Sequence, residues 1–294
     1  MVCAACGGKR LEPHLRVAGD AGADGLIPTT DRFGTALADI VRCRDCSHMQ
    51  LERFPPEEDL SDAYAEAEST AYVEEEAGQW ETARAILDEI EAQVEPGALL
   101  DLGSWVGFFL AEAQARGWAA VGVEPSLYAS RFARERLGLD VHQAGMFDAA
   151  VDGGTFDAVF MGDVIEHLPR AGEALDRIAE LLAPSGVLAM ALPNAGSRLA
   201  RRMGRRWWSV IPTHVHYFTP QSMRTMLERH GYEVVRITSA PKTFTVGYYL
   251  GRLGGFSDRL GRGAMRAARV VGLADRLWTP DFRDRMLVIA RRNR

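Results

Sequence analysis

Hydrophobic residues recur at two spacings in the central part of the chain, and their alternation predicts its secondary structure. Short, nearly continuous apolar runs predict strands over residues 98–102, 119–123, 158–161 and 187–192. Apolar positions at helical spacing predict helices between them, over residues 108–116, 127–137 and 171–182. Strands and helices that alternate in this way predict βαβ units, and hence an α/β fold with a parallel sheet covered by helices on both faces.

The flanking regions carry similar patterns. Before the central region, spaced apolar residues predict an amphipathic helix over 74–94, which Pro96 and Gly97 end. The segment 18–36 is rich in Gly, Asp and Thr, which predicts a loop. After the central region, the pattern predicts a helix over 221–230, a strand over 233–238, a basic helical stretch over 248–277 and a final strand over 285–290.

Composition and charge narrow the class of protein. The chain has 294 residues, of which 47% are hydrophobic and 25% charged, as is ordinary for a folded globular protein. A net charge of −6 disfavours a general nucleic-acid binder. No apolar run reaches the roughly 18 residues of a membrane span, and the N-terminus lacks a secretory signal. We therefore expect a cytoplasmic protein with no membrane partner, whose thiols stay reduced.

All the cysteines of the chain lie near its N-terminus, as the pairs CAAC at 3–6 and CRDC at 43–46. Each CxxC pair directs two thiolates at one cation, and two such pairs complete the tetrahedral sulfur shell that suits zinc. Four thiolates leave no open coordination position, so the metal is expected to be structural. Unrelated thiols or a redox pair are the alternatives. The predicted zinc ligands are Cys3, Cys6, Cys43 and Cys46.

A glycine-containing turn follows the first strand of the central region. The strand ends near Asp101, and the chain turns through Gly103 and Gly107 into a helix. Glycine lets the backbone approach a ligand closely beside a helix N-terminus. Twenty-one residues after Gly103 the next strand ends at Glu124, whose carboxylate could accept both hydroxyls of a ribose. The turn lacks the G-x-G-x-x-G of dinucleotide sites, so we expect a nucleoside ligand without phosphates.

Five segments in order resemble the motifs of class I methyltransferases. They are DLGSWVGFF (101–109), VGVEPS (121–126), FDAVFMGDVIEHLPR (156–170), LLAPSGVLAMALPN (181–194) and THVHYFTPQSMRTMLERHGYEVV (213–235). The cysteine pairs resemble those of a subfamily with an N-terminal zinc-binding segment. The resemblance implies a Rossmann-like sheet with S-adenosyl-L-methionine as cofactor. The cofactor-binding residues it implies are Asp101, Gly103, Trp105, Gly107, Glu124, Met146, Phe147 and Asp163.

Two of these positions depart from the family pattern. Trp105 replaces the usual middle glycine, so the loop lies further from the cofactor or stacks a ring near it. Met146 stands where relatives carry an acidic residue for the adenine amine, and Met146 and Phe147 could pack on the adenine instead. The predicted organisation is a zinc-ribbon-like domain over 1–54, a helical lid or linker over 55–95, and a Rossmann-like domain over 96–294 with a helical insertion near 246–277.

The predicted catalytic residues are Glu166, His167 and His214. Glu166 and His167 follow Asp163 at helical spacing, so a capping role at the strand–helix junction is one interpretation. General-base catalysis by His167 is another, because an imidazole with a pKa near roughly 6.5 suits proton removal. A third is a second, divalent metal held by Asp163, Glu166 and His167 with His214 or His216, similar to metal-assisted O-methyltransferases.

The acceptor is expected to be a small molecule of bacterial specialised metabolism or sugar modification, methylated on oxygen, with carbon and nitrogen left open. The arginines of the segment RRMGRRWW (201–208) could bind an anionic or nucleotide-linked acceptor, and its tryptophans could stack on a ring of that acceptor. A basic face exposed to solvent would explain the same segment equally well. The alternatives are an RNA-modifying methyltransferase and a cofactor-binding protein without catalysis.

Overall fold

The apolar runs of the central region pair side by side in one seven-stranded sheet, as the computed structural model of the protein shows. The structure describes residues 1–19, 33–56, 60, 65, 71–148, 151, 153, 155–255 and 257–293. Its strands are β4 (Ala98–Leu102), β5 (Ala119–Val123), β6 (Val141–His142), β7 (Phe156–Gly162), β8 (Leu182–Pro193), β10 (Tyr232–Ser239) and β13 (Arg285–Arg292). Their order across the sheet is β10-β13-β8-β7-β4-β5-β6.

The strands from β4 to β8 are parallel, whereas β13 runs antiparallel to both β8 and β10. Helices connect them and cover both faces, which confirms the predicted Rossmann-like α/β class. The helices are α1 (Ala71–Glu74), α2 (Glu76–Glu91), α3 (Phe108–Ala115), α4 (Leu127–Leu137), α5 (Ala171–Leu181), α6 (Arg198–Met203), α7 (Pro220–Arg229), α8 (Val246–Gly251) and α9 (Asp258–Val270).

The central strands are apolar on both sides because each face packs against helices. On one face Leu100 of β4 belongs to a core with Ile178 of α5 and Met226 of α7. On the other face Leu99 belongs to a second core with Leu87 of α2 and Leu110 of α3. Both faces are therefore buried, and the open edge for a ligand is the end of the sheet where the parallel strands finish.

The N-terminal segment forms a second sheet that includes a strand from the distant part of the chain. Its order is β1 (Leu11–Leu15), β2 (Ile40–Cys43), β3 (Met49–Leu51) and β9 (His216–Tyr217). Gln50 of β3 lies opposite His216 of β9, and the backbone N–H of Leu51 donates to the carbonyl of Val215 at 3.0 Å. The predicted boundary at residue 54 stays a prediction, but the sheet itself crosses it.

Some predicted elements differ in extent from the observed ones. The helix predicted over 74–94 is interrupted after Glu74, so that α1 and α2 replace it. The helical stretch predicted over 248–277 contains α8, a 3-10 turn, α9 and the short strand β12 (Leu277–Trp278), which pairs with β11 (Phe244–Thr245). Most of the loop predicted over 18–36, and most of 57–70, lie outside the described residues. No helix in the part of the chain that the structure describes has the length and apolar character to cross a membrane.

Candidate active site

A cavity of about 710 Å³ opens where the parallel strands β4, β5 and β7 end. Its volume lies in the range of small-molecule sites. Every predicted cofactor-binding residue and two of the three predicted catalytic residues line it. These lining residues are Asp101, Gly103, Trp105, Gly107, Glu124, Met146, Phe147, Asp163, His167 and His214. The fold thus brings together positions that lie more than a hundred residues apart in the sequence.

The two glycines of the turn are required by packing as well as by backbone conformation. Gly103 has φ +80°, and a Cβ there would lie 2.5 Å from Cγ2 of Val164. Gly107 has φ +89° at the start of α3, and a Cβ there would lie 2.5 Å from Cδ1 of Leu139. Since both conformations are left-handed and both spaces are filled, any side chain would displace the turn.

Glu124 lies at the end of β5 and is held by the backbone of the turn. Its carboxylate accepts the N–H of Trp105 at 2.8 Å and the N–H of Ser126 at 2.8 Å. Burial raises the pKa of Glu124 to about 7, while the two backbone hydrogen bonds oppose that rise. The two hydrogen bonds therefore fix the position of the carboxyl group, and the group changes its protonation state near neutral pH.

Asp101 lies beside Glu124 with only 2% of its surface exposed. Its Oδ2 atom is buried and has no hydrogen-bond partner among the described residues. Burial and the neighbouring Glu124 carboxylate raise the pKa of Asp101 well above its usual range. A buried acceptor without a partner costs free energy, which a ligand that donates a hydrogen bond or carries positive charge would recover. The residues present therefore fit a hydroxylated, cationic nucleoside.

Asp163 ends β7 in a left-handed conformation with φ +56°. Its carboxylate pairs with Nζ of Lys242 at 2.6 Å and with Nη1 of Arg285 at 2.7 Å. Burial alone would raise the pKa of Asp163, but the two cations hold it well below its usual range. Lys242 and Arg285 both line the cavity and were not predicted. One signal was available, because Lys242 is one of only two lysines in this arginine-rich chain.

His167 and His214 both line the cavity, and their rings meet edge to face. Their ring centroids lie 4.4 Å apart at an interplanar angle of 73°. Nδ1 of His167 donates to the carbonyl of Thr213 at 3.0 Å, because a carbonyl can only accept. Burial lowers the pKa of His167 to about 4 and that of His214 well below its usual range. Both imidazoles are therefore neutral at physiological pH.

Glu166 is buried close to the two histidines and does not line the cavity. Neither of its carboxylate oxygens has a hydrogen-bond partner within the described part of the chain. One potential ligand atom from each of Glu166, His167 and His214 lies within 4.8 Å of the others. The three side chains form a compact cluster of a carboxyl and two imidazoles, which is a donor set that divalent transition metals accept.

The local backbone around this cluster differs from the predicted helix. Residues Ile165–His167 form a single 3-10 turn, and neither it nor α5 has a side-chain cap. The N-cap residues are Val164 and Arg170, so neither Glu166 nor His167 is an N-cap, and their wider structural role at this junction stays a prediction. His216 does not join the cluster, since its Nδ1 lies 3.2 Å from Nε2 of His48 on the side of the N-terminal sheet.

The four cysteines converge although the two pairs are far apart in sequence. Sγ of Cys3 lies 3.5 Å from Sγ of Cys46, and Sγ of Cys6 lies 3.6 Å from Sγ of Cys43. Tetrahedral zinc with Zn–S bonds of about 2.3 Å separates its sulfurs by about 3.8 Å. The cluster lies outside the cavity lining, so its chemistry is separate from that of the histidines.

The segment 201–208 contributes less to the cavity than predicted. Its arginines are exposed and do not line the cavity, which supports the solvated interpretation for them. Trp207 is buried, and its Nε1 donates to Oδ2 of Asp284 at 3.4 Å. Trp208 alone of the segment faces the cavity.

Comparisons with known proteins agree with this geometry. A family model described as a methyltransferase domain matches residues 72–237. A C-methyltransferase of Streptomyces niveus, NovU, is 26% identical over 230 residues, covering 75% of this chain and 50% of the relative. The chain thus spans about half the length of that relative.

Two solved structures share the fold. A chain of the complex between the Haloferax volcanii Trm112 methyltransferase activator and a methyltransferase superposes with a TM-score of 0.57 and 19% identity, over 81% of this chain and 98% of that chain. An S-adenosylmethionine-dependent methyltransferase from Archaeoglobus fulgidus superposes with a TM-score of 0.52 and 18% identity, over 76% of this chain and 99% of that chain. From the family match and the fold together, the chain belongs to the class I family of S-adenosylmethionine-dependent methyltransferases.

Proposed function

We propose that the protein methylates an oxygen of a small-molecule acceptor and that the pair His167 and His214 removes the acceptor's proton. The observation that carries this proposal is that both neutral imidazoles line the same cavity as the glycine turn and Glu124. Carbon or nitrogen acceptors would use the same residues wherever a proton must leave. The C-methyltransferase relative keeps the carbon alternative open.

The tautomers support a base at this position. His167 carries its proton on Nδ1, which it donates to Thr213, so the lone pair is on Nε2. The His214 ring hydrogen-bonds to the backbone of Ser209, and its Nδ1 has no partner among the described residues. The nitrogen without a proton is therefore Nε2 in His167 and Nδ1 in His214.

The cofactor roles follow from the same cavity. Glu124 would accept the ribose hydroxyls, Met146 and Phe147 would pack on the adenine, and the buried Asp101 carboxyl would receive a donor from the amino-acid part. When bound, S-adenosylmethionine supplies a methyl group on a sulfonium, and its sulfur becomes a neutral thioether as the new oxygen–methyl bond forms. The protein orients the acceptor hydroxyl and takes its proton onto an imidazole.

We further propose that Cys3, Cys6, Cys43 and Cys46 hold a structural zinc ion, because their sulfur–sulfur distances fit a tetrahedral thiolate shell. A second divalent metal at Glu166, His167 and His214 is the alternative to a histidine base. There the ion would act as a Lewis acid that lowers the pKa of a bound hydroxyl. The observation that favours this metal site is that neither oxygen of the buried Glu166 carboxyl has a hydrogen-bond partner among the described residues.

Turnover measurements separate these possibilities. His214→Ala and His167→Ala should each lower kcat by about a hundredfold or more, with S-adenosylhomocysteine affinity unchanged. His14→Ala, in an exposed strand position, is the matched control. Activity that EDTA abolishes and Mg²⁺ or Mn²⁺ restores would assign the metal alternative. Tight cofactor binding without methyl transfer to any acceptor would overturn the proposal in favour of a non-catalytic protein.

A further inference from the structure

Part of the cavity lining is built from aromatic side chains, and three of the four lie in the segment after β10. Trp208, Tyr249, Trp278 and Phe282 all line the cavity, and we call these four residues the aromatic wall. Phe282 contacts the other three at centroid distances of 5.9, 6.4 and 6.3 Å, with interplanar angles from 60° to 87°. Tyr249 also meets Trp278 edge to face at 5.4 Å. The wall is therefore one connected surface of rings.

These rings keep much of their surface uncovered. Trp278 is 47% exposed and Phe282 is 42% exposed, although both lie within a chain of aromatic contacts. Large apolar side chains that remain open beside a concave site mark a place where an apolar ligand is buried. A flat ring inserted here would gain both apolar burial and favourable ring–ring geometry.

The positively charged groups that line the cavity are already engaged by the chain itself. Lys242 and Arg285 pair with Asp163, as described above. Arg252 lies over the ring of Tyr248 at 4.8 Å, and its Nη2 donates to the Tyr248 hydroxyl at 2.6 Å. The arginines of residues 201–206 lie outside the cavity lining. A phosphate or carboxylate on the acceptor would therefore compete with partners that these cations already have.

The wall is adjacent to the proposed base. Trp208 precedes Ser209, whose backbone hydrogen-bonds to the ring of His214. Trp208, His167 and His214 line the same continuous cavity. A molecule stacked on the wall can thus present a substituent to the imidazoles without leaving the cavity.

We infer that the acceptor is an uncharged aromatic molecule of the phenol class, held by the aromatic wall with its hydroxyl directed at His167 and His214. This inference rests on the proposed function and specifies its substrate class. It replaces the anionic or nucleotide-linked acceptor that the arginine-rich segment favoured in the sequence. The rings supply affinity by stacking, and the histidines supply the proton acceptor.

Calorimetric titration of the protein saturated with S-adenosylhomocysteine tests the inference with two probes. We expect 2-naphthol to bind with little dependence on salt, and thymidine diphosphate to bind at least tenfold more weakly. Phe282→Ala should weaken 2-naphthol binding by about tenfold, as expected for the loss of several ring contacts. Phe54→Ala, which removes a part-exposed ring outside the cavity lining, should leave it unchanged.

Three results would overturn the inference: tighter, salt-sensitive binding of thymidine diphosphate, no binding of 2-naphthol, or equal 2-naphthol affinity in Phe282→Ala and the unaltered protein. Titration of S-adenosylhomocysteine into each variant keeps this failure separate from failure of the proposed function. If the cofactor product binds but 2-naphthol does not, only the acceptor class is wrong. If the cofactor product itself does not bind, the proposed function fails.

Discussion

The carboxylate of Glu124 accepts the backbone N–H of Trp105 at 2.8 Å, and this bond ties the end of β5 to the glycine turn. Trp105 has φ +48°, a conformation that a bulky residue rarely adopts. The hydrogen bond helps to offset that strain, so the turn keeps its shape without the middle glycine of the family pattern. The same carboxylate that we expect to hold the ribose therefore also organises the loop beneath it.

The raised pKa of Glu124 makes cofactor affinity dependent on pH. A ligand whose hydroxyls donate to Glu124 favours the ionised form, so with a pKa of about 7 binding should be about tenfold weaker at pH 6 than at pH 8. Isothermal titration of S-adenosylhomocysteine at both pH values measures this. Glu124→Gln should bind more weakly at pH 8 and lose the dependence; an equally pH-dependent variant would contradict the assignment.

The raised pKa of Glu124 also affects the stability of the unliganded protein. Stability should decrease as the pH rises, whereas cofactor affinity should increase. The folded carboxyl of Glu124 has a pKa of about 7, whereas the ordinary pKa of a glutamate side chain is 4.5. By linkage, the free energy of unfolding of the unliganded protein loses this contribution as the pH rises from about 4.5 to about 7. Urea denaturation of the unaltered protein and Glu124→Gln at pH 5 and pH 8 should show a smaller decline in the variant.

Gly117 is a matched control for Gly103. Both glycines have a positive φ, but only at Gly103 would an added Cβ meet a neighbouring atom. Gly103→Ala places a Cβ 2.5 Å from Val164, whereas a Cβ at Gly117, with φ +93°, meets nothing within 4 Å. Both variants carry the strain of a positive φ, which costs about 1 kcal/mol of stability, and Gly103→Ala should lose more because its Cβ meets Val164. Only Gly103→Ala should also weaken S-adenosylhomocysteine binding, by tenfold or more. Equal affinities in the two variants would show that the turn does not shape the site.

Asp163→Asn removes the charge that compensates Lys242 and Arg285. Because these side chains are partly solvated, at 28%, 17% and 17% exposure, we expect a loss of about 1–3 kcal/mol in the free energy of unfolding. The second substitution Lys242→Met should restore part of this loss, which chemical denaturation can measure. The low pKa of Asp163 in the folded protein also predicts that stability falls as the pH drops below about 4. Identical stabilities of Asp163→Asn and the unaltered protein would show that the ion pairs contribute nothing.

Cys43→Ser tests the proposed zinc site, which lies beside the pairing of β3 with β9. The side-chain amide of Gln50 accepts the N–H of Ala4 at 2.8 Å, and Gln50 pairs with His216 in the neighbouring strand. Loss of the metal should lower the melting temperature by several degrees, because a structural thiolate site contributes folding free energy. Metal analysis should find about one zinc per unaltered chain and a reduced content in the variant. An unaltered protein without zinc would exclude the site.

Much of the fold was predictable because its central strands are short apolar runs bounded by turn residues. The bounds of β4, β5 and α4 agree with the sequence pattern to the residue. The strands β3 and β9 were not predicted, since each is only two or three residues long and their pairing joins positions 49–51 to 215–217. Local periodicity carries no information about such distant partners.

The candidate site was predictable where a motif places residues at strand ends. Gly103, Glu124, His167 and His214 line one cavity as their motif positions imply. The partners of Asp163 could not be found in this way, because Lys242 and Arg285 lie in segments without a recognisable motif. Of the aromatic wall, only Trp208 lay in a segment predicted to contact the acceptor, since the rings are spread from Trp208 to Phe282 and meet only in the folded chain.

The most direct test of the central claim is a calorimetric titration of the purified protein with S-adenosylhomocysteine near neutral pH. The account predicts saturable binding of one molecule per chain, weakened at least thirtyfold in Glu124→Ala, as expected when hydrogen bonds to a charged carboxylate worth about 2 kcal/mol are lost. The absence of saturable binding, or equal affinity in Glu124→Ala, would contradict it.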